Sequence, residues 1–225
     1  MMIWVILIVF MLISLLISER LKWKFKKYSE IPLNYNLSGK EVAEKMLKEN
    51  GIFDVTVISV EGQLTDHYNP LKKTVNLSLA VYEGRNVAAA AIAAHECGHA
   101  VQHANAYLFL QVRSFLVPVV NFASNWVQWI LFAGVLLISV FPYLLFTGII
   151  LFALMTIFSF VTLPVEIDAS RRALAWLQSS NITSFETHDK AKDALKWAAY
   201  TYVVAALSSL ATLLYYIMIY RNRRD

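Results

Sequence analysis

The chain of 225 residues contains a single cysteine, Cys97, which excludes an internal disulfide and leaves the redox compartment unread. Charge is missing over long stretches. Residues 1–17, MMIWVILIVFMLISLLI, carry none, and neither do the 52 residues between Arg113 and Glu166. No internal repeat or low-complexity tract is present, which argues against a solenoid or an array. With 58% apolar residues and a mean hydropathy of +0.51, the chain is too hydrophobic for an ordinary soluble domain and reads as a membrane protein. The net charge of +4 is modest, and the Lys and Arg excess lies beside the hydrophobic stretches. That pattern speaks of membrane topology, not of nucleic-acid binding.

Residues 1–17 are just long enough to span a bilayer. A secretory signal would need a basic leading region and a small-residue cleavage site. Neither is present, and Ser18-Glu19-Arg20 runs into the basic Leu21–Lys27 segment. A retained anchor over 1–18 is therefore expected, with the N-terminus outside and residue 20 onwards in the cytoplasm. The uncharged stretch after Arg113 suffices for two more crossings, and Phe141-Pro142 is its best break. This gives spans near 116–140 and 143–163 within a hairpin domain, 113–164. Trp126 and Trp129 fall well inside the first span and are expected to face other helices. A last apolar domain, 198–220, holds Ala205 and Ser209 at a spacing that favours close helix packing. The tail 221–225 conflicts with the positive-inside rule, since four crossings return Arg221, Arg223 and Arg224 to the outside.

Between the spans lie two polar regions. Residues 19–112 are expected to form a small cytoplasmic α+β region. Ser38-Gly39-Lys40-Glu41 has the capping-box pattern, followed by Val42, Met46 and Leu47 on one face and Gly51 as a stop, so a short amphipathic helix is predicted. Residues 52–60 read as a strand, and Leu64–Lys73 as a turn-rich loop with Asn69-Pro70. Thr74–Leu79 alternates, with Val75, Leu77 and Leu79 on one face of a half-buried strand. Its edge can accept an extended substrate as an added strand. A helix then starts near Gly84–Val87 and continues through a run of alanines, the best helix formers. The second polar region, 165–197, is helical around a loop at 179–187.

The chemistry is concentrated in His95-Glu96-Cys97-Gly98-His99, on that alanine-rich helix. Residues i and i+4 share a helix face, about 6 Å apart along the axis. Two imidazoles so placed can hold one Zn²⁺ at about 2.0–2.1 Å each. Glu96 is then in reach of a metal-activated water as general base. Zinc of this kind needs a third protein ligand. His103 continues the same face but lies about 12 Å from His95 along a straight helix, too far to share the ion. A metzincin would carry its third His after a Gly-bearing turn, where this chain has Asn105. Glu166 is the better candidate, because the chain has returned through the hairpin when it is reached. Cys97 points away from the two His and reads as a small buried residue.

These residues also carry a resemblance. His95–His103 together with Leu163-Pro164-Val165-Glu166-Ile167-Asp168-Ala169-Ser170-Arg171-Arg172 resemble the YugP-like neutral zinc metallopeptidases of bacterial membranes. Leu64–Pro70 and Val81-Tyr82 fit the same family, and the likeness covers nearly the whole chain. More distantly the chain is similar to membrane gluzincins of the HtpX type, in which a Glu on a later helix completes the zinc site. The resemblance implies His95, His99 and Glu166 as ligands of one Zn²⁺ per chain and Glu96 as base. One departure stands out: the distant relatives carry Asp four residues after the ligand Glu, where this chain has Ser170, its acid being Asp168.

The fold class expected is a polytopic α-helical membrane protein with a small cytoplasmic α+β, zincin-like region, in the bacterial cell membrane with its site on the cytoplasmic side. The function expected is zinc-dependent endopeptidase, with Glu96 passing the water's proton to the leaving amine. His67, Tyr68, His103, Arg171 and Arg172 are candidates for stabilising the oxyanion. Partners are the lipid bilayer, membrane-associated or unfolded protein substrates, and a membrane-protein partner or a second copy; nucleic acid is not among them. The alternative is a non-catalytic zinc-binding membrane scaffold or adaptor, which needs the ligands but can lose Glu96. An intramembrane-cleaving protease would place its ligands inside the apolar spans, whereas here they flank them.

Overall fold

The computed structural model describes residues 2–33 and 35–222; Arg223 and Arg224 of the basic tail lie outside the described residues. The elements in order are α1 (Met2–Ser29), α2 (Gly39–Glu49), β1 (Thr56–Val60), β2 (His67–Asn69), β3 (Thr74–Ser78), α3 (Leu79–Tyr82), α4 (Val87–Ala104), α5 (Leu108–Leu136), α6 (Pro142–Ser179) and α7 (Phe185–Asn222). They form two compact units. One takes in Met1–Leu16, Gln111–Leu163 and Thr201–Asp225, the other Ile17–Leu110 and Pro164–Tyr200. The segment boundaries expected at 164/165 and 197/198 fall inside continuous helices, α6 and α7. Nothing in those stretches breaks a helix except Pro164, which a helix tolerates at the cost of one hydrogen bond and a bend.

The first unit is helical. Four helices, α1, α5, α6 and α7, are long and apolar enough to cross a membrane. The α5–α6 turn falls at Leu137–Phe141 and Pro142 opens α6, as suits a residue with no N–H to offer. The two helices touch closely where Gly134 meets Leu145: a Cβ on Gly134 would lie 2.6 Å from the Leu145 Cα. Val127, Leu131, Leu145 and Ile149 fill the seam, with Leu213, Tyr216 and Ile217 of α7 against it. Trp126 and Trp129 do not face other helices. They are 56% and 70% exposed, because the small and branched residues make the seam and the indoles are left on the outer face.

The second unit is built around α4, whose alanine run is buried on nearly every side. Its start is fixed by Asn86, whose side chain accepts the Ala89 N–H at 2.9 Å. The amphipathic α2 lays Val42, Ala43, Met46 and Leu47 on it, and Val75, Leu77, Val81, Ala173, Leu177 and Leu195 complete the core. The capping box forms: Ser38 and Glu41 exchange hydrogen bonds with each other's backbone N–H. Arg85 adds an ion pair to Glu41 at 3.1 Å, and Ser38's backbone and hydroxyl hold that carboxyl below its usual range.

The sheet has the order β1-β3-β2, with β1 parallel and β2 antiparallel to β3. This alters two expectations. The turn-rich loop contains a short strand, β2, in register with β3 as His67↔Asn76, Tyr68↔Val75 and Asn69↔Thr74. The expected half-buried strand is central, with Val75, Asn76, Leu77 and Ser78 all buried, while Leu79 is exposed and opens α3. Burial on both faces is affordable because the polar residues find partners. Asn76 donates to the carbonyls of His67 and Thr74, and Ser78 donates its N–H and hydroxyl to Asp66. Burial pushes the Asp66 carboxyl up, against those hydrogen bonds. With β1 on one side and β2 opposite Thr74–Asn76 on the other, β3 offers no free edge to a substrate along that stretch.

The capping box makes α2 a stability element of this unit. Ser38→Ala should cost about 1 kcal/mol, read as a lowered thermal midpoint in detergent, while Lys48→Ala, at an exposed position of the same helix, should leave it nearly unchanged.

Candidate metal centre

Whether His95 and His99 can share an ion with Glu166 depends on how near α6 comes to α4, and glycine decides it. A Cβ at Gly98 would stand 2.6 Å from the Ala169 carbonyl oxygen and 3.1 Å from its Cα, so the two backbones touch. Any other side chain at 98 would force them apart. Contact at Ala169 brings Glu166, one turn earlier on α6, beside the two histidines.

His95, His99 and Glu166 meet there, each offering a ligand atom, all within 4.8 Å of one another. The Nε2 atoms of His95 and His99 lie 3.3 and 3.6 Å from Glu166 Oε2. The rings stand edge to face, 4.8 Å between centroids. Burial would lower the His99 imidazole, but the facing Glu166 carboxylate and the charge of Glu96 draw it above its ordinary value. Two imidazole nitrogens and one carboxylate oxygen on a buried face are a donor set that suits zinc and leaves a coordination position open.

The far side of each imidazole is held as well. His99 Nδ1 lies 3.0 Å from Gln102 Oε1, and His95 Nδ1 lies 3.1 Å from Ser170 Oγ. Gln102, fully buried, donates its amide to the Val165 carbonyl at 2.7 Å and to Asp168 at 3.0 Å. Asp168 also receives Arg171 and Arg172, each at 2.6 Å.

Glu96 is 8% exposed. Its Oε2 accepts the backbone N–H of Tyr68 at 3.0 Å. At Tyr68, therefore, β2 turns its N–H toward α4 and not toward β3. The Tyr68 hydroxyl lies 2.9 Å from His103 Nδ1, so His103 joins Tyr68 and stays out of the three-residue cluster. Cys97 is also outside it: buried against α2, its thiol lies 3.5 Å from the Ala43 carbonyl and is pushed well up by burial. His67 Nδ1 lies 2.8 Å from the Thr65 carbonyl, and Arg171 is largely exposed. Ser170 stands out in the sequence only as a departure from distant relatives, and Gln102 is passed over, although their positions, one turn after Glu166 and one turn after His99, place them on the right faces.

Residues 3–221 match the model of a family described as "Putative neutral zinc metallopeptidase". The chain is similar to the "Putative membrane protease YugP" of Bacillus subtilis (strain 168), 42% identical over 206 residues, covering 92% of this chain and 91% of the relative. No solved structure matches.

Because Gly98 sets the helix separation, Gly98→Val should abolish metal retention, and overpacking there should cost at least about 1–3 kcal/mol of stability. Metal analysis of the purified variant beside wild type checks this. The comparison should be Ala104→Val, at the end of the same helix, which should keep its metal.

Proposed function

Because the chain belongs to the family described as putative neutral zinc metallopeptidases, we propose that it is a membrane-bound zinc endopeptidase of the gluzincin kind. His95, His99 and Glu166 hold one Zn²⁺ and Glu96 is the general base. The observation that carries this reading is the carboxylate of Glu96, buried next to the three-donor cluster and anchored by the Tyr68 N–H. A non-catalytic scaffold or adaptor has no use for a buried acid one residue from a ligand.

When bound, zinc supplies Lewis acidity, activating a water and polarising the scissile carbonyl. Glu96 takes the proton of the attacking water. The Tyr68 N–H holds one of its oxygens, which leaves the other to receive the proton and deliver it to the departing amine. Tyr68 and His103, joined through their polar atoms, are the best-supported donors for the developing oxyanion. An extended peptide then runs beside β2, the strand next to the base, in place of β3.

The site lies on the cytoplasmic side of the bacterial cell membrane in this reading, with α1, α5, α6 and α7 as spans. All but Arg221, Arg223 and Arg224 of the 20 Lys and Arg fall between residues 20 and 196, on the stretches that share a side with the site. Glu166 follows the apolar part of α6 by a few residues. Substrates are therefore membrane-associated or unfolded chains near the bilayer, met by one copy or by an assembly with a second copy or another membrane protein.

Zinc content and cleavage of an unfolded reporter protein, measured in mild detergent, test the assignment. Glu96→Gln should retain one zinc and lose at least about 10²-fold in kcat. Glu166→Ala should lose both zinc and cleavage. Cleavage undiminished in Glu96→Gln would overturn the catalytic reading in favour of another base.

A further inference from the structure

The two histidines of the cluster are held in chemically different ways. Around Gln102 the orientation is forced. The Val165 carbonyl and the Asp168 carboxylate are both acceptors, so the Gln102 amide nitrogen must face them and its Oε1 must face His99. That oxygen can only accept, so His99 carries a proton on Nδ1, which leaves Nε2 as the one ring nitrogen available to a metal. Asp168, 5% exposed and gripped by Arg171 and Arg172, keeps the amide from turning over. Its charge is answered by those two guanidiniums before it can reach the imidazole.

Around His95 nothing is forced. The partner is the Ser170 hydroxyl at 3.1 Å, which can accept a proton from Nδ1 or donate one to it. Ser170 therefore permits both tautomers, including the one whose Nε2 bears hydrogen and cannot bind a metal. Ser170 is also neutral, as is Gln102. A carboxylate behind a metal-bound imidazole raises its basicity and fixes its tautomer, and neither histidine has one.

We propose that Gln102 and Asp168 are positioning residues that lock His99 as the fixed ligand, and that Ser170 leaves His95 adjustable, so that residue 170 sets the metal affinity of this chain at a low value. This rests on the proposed metal site but not on the peptidase reaction. It makes the bound ion exchangeable and leaves more of its positive charge to act on what it binds.

The test is the dissociation constant for Zn²⁺, measured by chelator competition on the full chain in mild detergent. Ser170→Asp should bind zinc about tenfold more tightly, or better. Misfolding cannot mimic this gain. Gln102→Met, similar in volume but at most a weak hydrogen-bond acceptor, should bind about 10–100-fold more weakly. Ser170→Ala should change affinity far less than Gln102→Met does. His99→Ala, which should abolish binding, verifies that the ion measured is the one in the cluster. Ser170→Asp binding no more tightly than wild type, or Gln102→Met binding as tightly, overturns the proposal and leaves the peptidase reading standing. A wild-type chain that binds no zinc overturns both.

Discussion

The contact of two helix backbones at Gly98 and Ala169 is the constraint on which the rest depends. Helix axes usually stand 8–10 Å apart, held off by their side chains. A glycine facing a backbone removes that spacing at one point. It does so inside the His-Glu motif, between the residue expected to act as base and the second histidine. The alanines on the N-terminal side of the motif extend the effect along α4, allowing α2 and α3 to close around it with few large side chains between. Glycine in mid-helix is intrinsically unfavourable, so its place here reflects packing and not helix propensity.

Close approach has a chemical consequence. It buries polar groups, and a buried polar group without a partner costs about twice what a satisfied one contributes, and more if charged. The core around the cluster meets this with one connected network. Gln102 reaches three partners across two helices, and Asp168 accepts from a glutamine and two arginines. The arrangement fixes imidazole directions to a degree that side-chain packing alone would not. It also ties the sheet to the motif helix, since a backbone N–H of β2 ends on Glu96.

Much of this was legible in the sequence. The apolar runs, the break at Phe141-Pro142, the Ser38–Glu41 cap and the helix carrying His95 and His99 are written locally, in periodicity and in capping residues. The pairing of Glu166 with that helix followed from chain return through the hairpin, a topological argument needing no atomic detail. What escaped notice depends on contacts between segments distant in sequence. β2 is three residues long in a stretch dense with turn residues, and only its partner β3 makes it a strand. The alternation of Thr74–Leu79 suggested one buried face, yet Asn76 and Ser78 are buried too, because their polar atoms find partners from β2 and from Asp66. Depth in an apolar run points Trp126 and Trp129 toward other helices, whereas the seam is filled by residues on another face of α5. Gly98 was visible as a letter in the motif. Its meaning lay in Ala169.

The continuity of α6 bears on how the centre comes into being. The two histidines precede the helical hairpin in the chain, and Glu166 follows it on the same unbroken helix as the second apolar stretch. A chain still being synthesised exposes His95 and His99 long before it has made their acidic partner. The full donor set exists only once α6 has formed and lies against α4. The docking of one helix, made late in the chain, is thus the step that assembles the three donors, and no local segment holds them alone.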